Sequence, residues 1–134
     1  MNNYNYFDTF NNTFLSDNNY DLFGPYEGYV KGNLFKNLYS QYKNYSPVNL
    51  TITSEQDEQL LNINQIWFAM HELQLLLDIY PNNQEMVNLY SRYEKQYNEL
   101  LNSYQEKYGP INSNSIGSGI PFSWVSTNFP WEVK

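Results

Sequence analysis

The chain has 134 residues, room for one small domain, and carries 14 acidic against 7 basic residues. The resulting net charge of −7 argues against binding to nucleic acid, which needs Lys and Arg to neutralise phosphate, and against adhesion to an anionic membrane. Because the sequence contains no cysteine, it excludes disulfides, thiol chemistry and thiolate zinc sites.

The sequence shows no targeting or membrane segment. Residues 1–6 have neither a basic start nor an apolar run, and no stretch approaches the roughly 20 apolar residues of a membrane helix. We therefore expect synthesis in the cytoplasm and no membrane insertion. Aromatic residues make up 19% of the chain, a proportion typical of surfaces that assemble with other proteins.

Residues 1–20 form a low-complexity segment in which Asn alternates with Tyr and Phe. This composition predicts a tail that is disordered alone and inclined to self-associate. The alternative is a floppy tail whose composition reflects an AT-rich genome, and the sequence leaves both open.

Residues 21–50 contain short aromatic pieces separated by glycines and a proline. Residues 33–39 are predicted to form one or two helical turns, with Leu34, Leu38 and Tyr42 on one side. This segment is too small to bury its own aromatic side chains. We expect it to dock on the following hairpin or on a partner.

Residues 54–108 are predicted to form an antiparallel two-helix hairpin, so the fold class is all-α. The first helix should begin near Ser54, which with Asp57 resembles a capping box, and end near Tyr80, before Pro81. Its predicted inward positions are spaced three or four residues apart. They are Ile63, Ile66, Met70, Leu73, Leu77 and Tyr80.

The second helix is predicted to start with Asn82 as its N-cap, because Glu85 follows three residues later. It should end at Tyr108, since Gly109 permits a left-handed cap and Pro110 cannot continue a helix. Its predicted inward positions are Met86, Tyr90, Tyr93, Tyr97, Leu100 and Tyr104. We interpret this tyrosine stripe as packing; the alternative is that exposed tyrosines become oxidatively cross-linked in a durable assembly.

Residues 109–134 are predicted to form a linker followed by an extended tail rich in Pro and Trp. Prolines keep such a backbone extended and let large rings project, which suits burial in a partner's groove; alternatively, the rings fold back over the hairpin. The candidate partner-binding residues are Trp67, Tyr93, Tyr97, Phe122, Trp124, Phe129 and Trp131.

No catalytic constellation is present in the sequence. The single histidine, His71, precedes Glu72, but a zinc protease motif needs a second histidine at position 75, which is Leu75. A four-helix di-metal site would need Glu at position 68, which is Phe68. We therefore expect no enzymatic activity, no cofactor and no metal site.

Three sequence runs together resemble the CotJB family of spore coat proteins, from about residue 60 to the C-terminus. They are residues 68–83 (FAMHELQLLLDIYPNN), 104–110 (YQEKYGP) and 129–132 (FPWE). Upstream, residues 28–39 (GYVKGNLFKNLY) are similar to the companion CotJA family, although Asn33, Lys36 and Asn37 depart from its pattern.

The resemblance implies a non-enzymatic endospore coat protein that is made in the mother cell and deposited in the coat. Relatives accompany a manganese catalase of the coat, so the implied role is an assembly adaptor that binds this catalase or other coat proteins. The alternative is a structural protein that self-assembles into homo-oligomers through its Asn- and Tyr-rich segments.

Overall fold

The computed structural model describes residues 20–112, 120–122 and 124, and within this part the chain is helical and contains no strand. Helix α1 spans Pro25–Lys31, a single 3-10 turn spans Lys36–Leu38, and two long helices follow, α2 (Glu55–Ile79) and α3 (Gln84–Tyr108). The chain divides into two compact units, Met1–Leu50 and Thr51–Lys134. The predicted low-complexity tail lies outside the described residues, except for Tyr20.

The first unit is organised by an isolated antiparallel bridge between Leu22 and Phe35. The Phe23 amide donates a hydrogen bond to the Leu34 carbonyl at 2.9 Å, and the Lys36 amide donates to the Asp21 carbonyl at 3.0 Å. Three apolar side chains are buried around this bridge: Phe23, Leu34 and Phe35. This unit therefore buries some of its own aromatic surface, which the sequence did not predict.

Helix α1 was also missed, because its glycines and proline resemble turn signals. Pro25 instead occupies the start of the helix, where its missing N–H costs nothing, and Gly32 ends the helix with φ of 74°. Gly28 lies buried inside α1, where an added Cβ would come within 3.2 Å of Leu34 Cδ1. Gly32 therefore ends this helix, and Gly28 allows it to pack closely against Leu34.

One or two helical turns were predicted over residues 33–39, but the structure has only a single 3-10 turn there, Lys36–Leu38. The expected common side of Leu34, Leu38 and Tyr42 does not form, since Leu34 is fully buried whereas Tyr42 is 82% exposed. The Asn33 side chain explains the shorter helix: its Oδ1 accepts a hydrogen bond from the Phe35 amide at 2.8 Å. This local bond favours a turn over a continuing helix.

The two long helices pack against each other as the predicted hairpin, and each has 25 residues. At about 1.5 Å per residue, each helix is roughly 38 Å long. The far ends meet in antiparallel fashion: Gln56 Nε2 donates to the Tyr104 hydroxyl at 2.9 Å, and Lys107 Nζ lies 2.5 Å from Glu55 Oε1. The connection between the helices needs only Tyr80, Pro81, Asn82 and Asn83.

Both hairpin helices begin with a side-chain cap. Ser54 Oγ accepts from the Asp57 amide at 3.1 Å, as the capping box predicted. The second cap was assigned one residue too early: Asn83 Oδ1, not Asn82, accepts from the Met86 amide at 3.1 Å. Asparagine is a favoured N-cap residue at either position, but only Asn82 has a glutamate three residues later, so the geometry of the turn after Tyr80 overrides that signal and selects Asn83.

The hairpin core is formed mainly by α2. Its buried residues are Ile63, Ile66, Ala69, Leu73 and Leu76 from α2, with Met86 and Tyr104 from α3. The predicted Met70 and Leu77 are half-buried, and their neighbours Ala69 and Leu76 take the buried positions. In α3, the remaining predicted positions, Tyr90, Tyr93, Tyr97 and Leu100, are half-buried.

Candidate partner-binding surface

The outer side of α2 carries a line of large apolar side chains that the hairpin leaves in solvent. Trp67, Leu75 and Ile79 are 53%, 49% and 44% exposed. His71 is exposed between them, and its ring stacks on Trp67 with centroids 5.4 Å apart and planes 4° apart. These four residues follow one another at intervals of four, which places them along one helical side. We call this line (Trp67, His71, Leu75 and Ile79) the α2 stripe.

The α2 stripe arises because α2 is apolar on more than one side. Leu73 and Leu76 are buried in the hairpin, whereas Leu75 between them points away from it. A helix that is apolar around its circumference is normally covered on all sides. In this hairpin α3 covers only one side, so the other remains open.

Helix α3 has the opposite character. Every exposed residue of α3 is polar or charged, including the carboxylates of Glu85, Glu94, Glu99 and Glu106. Its apolar and tyrosine side chains all share buried or half-buried positions. The uncovered apolar surface of the hairpin therefore belongs to α2 alone.

The charges of α2 are all negative. The helix contains five carboxylates and neither Lys nor Arg; the five are Glu55, Asp57, Glu58, Glu72 and Asp78. Two of these acids have local partners at the start of the helix. The hydrogen bond and charge of Lys107 lower the pKa of the Glu55 carboxyl, and the same contact raises the pKa of the Lys107 ammonium.

The second of these acids, Asp57, is part of the helix cap. The Thr53 hydroxyl donates to Asp57 Oδ2 at 2.5 Å, and this bond, followed by the one with Ser54, lowers the pKa of the Asp57 carboxyl. Asp78, at the other end of α2, is exposed next to the α2 stripe. Within the part of the chain that the structure describes, it forms no ion pair.

The predicted partner-binding residues do not form one patch. Trp67 lies in the α2 stripe, whereas Tyr93 and Tyr97 lie on the side of α3 that also carries the buried Met86 and Tyr104. Burial raises the pKa of the Tyr93 hydroxyl above its ordinary value, with a smaller opposing effect of the positive charge of Arg92. This setting suits packing within the hairpin.

The C-terminal candidates are described in part. Phe122 is 53% exposed and Ile120 is 99% exposed, whereas Trp124 is half-buried. Phe129 and Trp131 lie outside the described residues. The described portion of the tail therefore does present large apolar side chains to solvent.

Leu75 and Ile79 are members of the exposed surface that the sequence interpretation did not single out. The available signal was the run Leu75-Leu76-Leu77, because three consecutive leucines on a helix point in three directions and cannot all face one neighbour. Periodicity alone does not say which one stays exposed.

Among the described residues, no group of three or more His, Asp or Glu side chains is arranged to hold a metal ion. No helix in the described part is both long enough and apolar enough to cross a membrane.

The fold and surface define a small all-α protein, a helical hairpin with one uncovered apolar side. A family model described as CotJB protein matches residues 57–132, which is more than half of the chain. The chain therefore belongs to the CotJB family and is a spore coat-related protein. This family is one of spore coat components and is not a known enzyme family. No curated protein and no solved structure matches the chain.

Proposed function

We propose that this protein is a non-enzymatic adaptor of spore coat assembly, which binds other coat proteins through the outer side of α2 and through its C-terminal segment. The observation that carries the proposal is the α2 stripe, in which Trp67, Leu75 and Ile79 remain 44–53% exposed. Contiguous apolar surface of this kind marks protein-binding sites in soluble proteins.

The energetics of the hairpin support binding to a partner. Burying apolar surface contributes about 25 cal/mol per Å², so covering a Trp, a Leu and an Ile that are each half exposed gives several kcal/mol before the cost of association. Trp is also the residue type that most often dominates interface energies. A partner that covers the α2 stripe therefore gains affinity from few contacts.

The resemblance to the CotJ proteins suggests the partner and the place of action. A manganese catalase of the coat is the proposed partner, with synthesis in the mother cell and deposition in the coat. Residues 28–39 are further proposed to act as a CotJA-like module joined to the CotJB hairpin. In this arrangement the adaptor supplies binding surfaces, and its partner supplies the chemistry.

Affinity purification of the tagged protein from sporulating cells, with the bound proteins identified by mass spectrometry, tests the proposal. We expect a manganese catalase or another coat protein in stoichiometric amount. A matched purification from vegetative cells expressing the same tagged protein controls for non-specific capture. Recovery of the protein alone from sporulating cells would contradict the adaptor function.

The alternative is a structural coat protein that self-assembles. Exposed aromatic and aliphatic side chains in the first unit favour it, since Tyr42 and Val48 are 82% and 76% exposed. Deletion of residues 1–20 separates the two functions. An adaptor keeps its partner after the deletion, whereas a self-assembling protein loses its large insoluble assemblies.

A further inference from the structure

Residues 48–53, which lead into α2, alternate apolar and polar side chains in the order Val-Asn-Leu-Thr-Ile-Thr. All of them are exposed, and the apolar members Val48, Leu50 and Ile52 are 76%, 47% and 49% exposed. The chain has no helix, turn or bend here. Period-two alternation rich in β-branched residues is typical of a β-strand with one apolar and one polar face. The segment therefore has the pattern of a strand, but within the described part of the chain no strand pairs with it.

The backbone of this segment is open along one edge. In a strand, the N–H and C=O groups of successive residues point to opposite edges. On one edge, the Leu50 amide donates to the Tyr26 hydroxyl at 3.2 Å. On the other edge, the backbone groups of Asn49 and Thr51 form no hydrogen bond with any other described residue. Such an open edge is a template for a further strand, so the occupant that its backbone chemistry fits is an extended chain.

The segment is complementary to a second copy of itself. Around Leu50 its pattern is a palindrome, since Asn49 and Thr51 are both polar and Val48 and Ile52 are both β-branched and apolar. In an antiparallel pair centred on Leu50, Asn49 of one copy lies opposite Thr51 of the other and bonds to it through the open edge. Leu50 then meets Leu50, and Val48 meets Ile52, at the positions where side chains approach most closely. Every apolar side chain of the pair thus faces another apolar side chain.

Charge favours the same pairing. No charged residue lies between Lys43 and Glu55, whereas natural edge strands commonly carry charges that prevent pairing. The antiparallel arrangement brings the Lys43 end of one copy towards the acidic first turn of α2 in the other, which contains Glu55, Asp57 and Glu58. A parallel arrangement would bring the two acidic turns together, which opposes association. Pro47, which has no N–H to donate, limits the ladder at its other end.

We propose that residues 48–53 bind a second copy of this protein, and that the two copies pair as antiparallel strands about a twofold axis at Leu50. This surface is separate from the α2 stripe, and the inference goes beyond the proposed adaptor function, because it adds a contact between copies and needs no coat partner. Two strands alone form a weak pair, so the dimer exchanges with monomer.

Sedimentation equilibrium of the full-length protein over a range of concentrations tests for the dimer. We expect a monomer–dimer equilibrium for wild type, and Leu50→Lys should raise its dissociation constant at least about tenfold, because two like charges then meet at the axis. Leu75→Lys is the matched control, since it makes the same charge change at a leucine that is 49% rather than 47% exposed. It should change the dissociation constant less than about twofold. A wild-type monomer at every concentration, or equal effects of the two substitutions, would overturn the proposal.

Single-cysteine variants determine the register, because the natural chain contains no cysteine. Residues opposite each other in a non-hydrogen-bonded antiparallel pair have Cα atoms about 4.5 Å apart, within reach of a disulfide. Under mild oxidation Leu50→Cys should form covalent dimers at least about tenfold faster than Leu75→Cys, since pairing raises the effective concentration of its thiols. Equal rates would indicate random collision and overturn the proposal, even if Leu50→Lys fails to fold.

Mixing two of these variants distinguishes the direction of pairing. Val48→Cys and Ile52→Cys should cross-link to each other in a mixture and form few covalent dimers when each is oxidised alone, because residue 48 lies opposite residue 52 of the second copy. Covalent dimers of Val48→Cys alone, formed as fast as in the mixture, would show a parallel pair and contradict the antiparallel register.

Purification from sporulating cells separates this inference from the adaptor function. If wild type dimerises, and monomeric Leu50→Lys protein recovers the same coat proteins as wild type, both proposals stand. If wild type dimerises but recovers no coat protein, the adaptor function fails and the strand pairing stands. If wild type is monomeric and Leu50→Lys loses a coat protein, a strand of that protein occupies residues 48–53, and the pairing of two copies is wrong.

Discussion

Leu73 and Leu75 lie two residues apart on α2 and have opposite environments. Leu73 is fully buried in the hairpin, whereas Leu75 is 49% exposed in the α2 stripe. The same side chain therefore stabilises the fold at one position and is available to a partner at the other. Because both residues lie in the middle of one helix, substitution to alanine changes helix propensity equally.

The first prediction compares Leu73→Ala with Leu75→Ala. Removal of the buried Leu73 side chain leaves a cavity and should lower the free energy of unfolding by about 2–5 kcal/mol. The change at Leu75 should cost less than about 1 kcal/mol, since half of that side chain already contacts water. Urea denaturation followed by circular dichroism measures both. Equal losses of stability would mean that the buried side of α2 is assigned incorrectly.

The second prediction concerns pH and the cap carboxylate Asp57. Hydrogen bonds from Thr53 and Ser54 lower its pKa in the folded protein below the ordinary value of 3.8. A group with a lowered folded-state pKa stabilises the fold above its unfolded pKa, and that contribution disappears as the pH falls through the folded value. The melting temperature of wild type should therefore exceed that of Asp57→Asn at about pH 7, with the difference shrinking below about pH 4. A difference that does not change with pH would contradict this role.

At the scale of elements, the hairpin depends on where its second helix begins. The chain must reverse within four residues, and the Asn83 amide donates to the Tyr80 carbonyl at 3.2 Å inside that turn. Asn83 then caps α3 through its side chain, as its Oδ1 accepts from the Met86 amide. Met86, which is almost fully buried, is placed in the core by this start.

The third prediction follows from this cap. Asn83→Ala should lower the free energy of unfolding by about 1 kcal/mol, because an amide in the first turn of α3 loses its partner. Asn82→Ala is the matched control: the same substitution one residue earlier, at an exposed turn position, should change stability by less than about 0.5 kcal/mol. Thermal unfolding by circular dichroism separates the two variants. A larger loss at Asn82 would restore the cap that the sequence rule suggested.

For the whole molecule, the described residues separate a packed core from large apolar side chains that are exposed to solvent. Among the described residues, the buried core of the hairpin consists of aliphatic residues, Met86 and Tyr104, and contains no tryptophan. Two of the three tryptophans, Trp124 and Trp131, lie in the C-terminal segment, and the third is Trp67 in the α2 stripe. This distribution separates the residues that hold the fold from those proposed to bind.

The fourth prediction tests this separation with Trp124→Ala combined with Trp131→Ala. Helicity should be unchanged, because Trp124 is half-buried and the buried core of the hairpin, within the described residues, contains no tryptophan. Partner binding should weaken by about 2 kcal/mol or more, as the loss of interface tryptophans usually does. Circular dichroism and quantitative co-purification measure the two effects. Loss of helical signal would show that the C-terminal segment is part of the core.

The two-helix arrangement of the hairpin could be predicted from local sequence signals. Two helices, their approximate ends and the tyrosine-bearing side of α3 follow from three- and four-residue spacing, from caps and from Pro81 and Gly109. The similarity to the CotJB family was also visible in three sequence runs. Helix α1 was missed because glycine and proline, which usually mark turns, here begin, fill and end a helix.

Sequence alone therefore determined that this chain is cysteine-free, acidic and contains a helical hairpin, since spacing, capping and composition are local properties. Only the tertiary structure decided which apolar residues of α2 are covered. In a helix with apolar residues on several sides, periodicity permits several buried faces, and packing against α3 selects one of them. That selection buries Ala69, Leu73 and Leu76, and it leaves Trp67, Leu75 and Ile79 as the exposed surface.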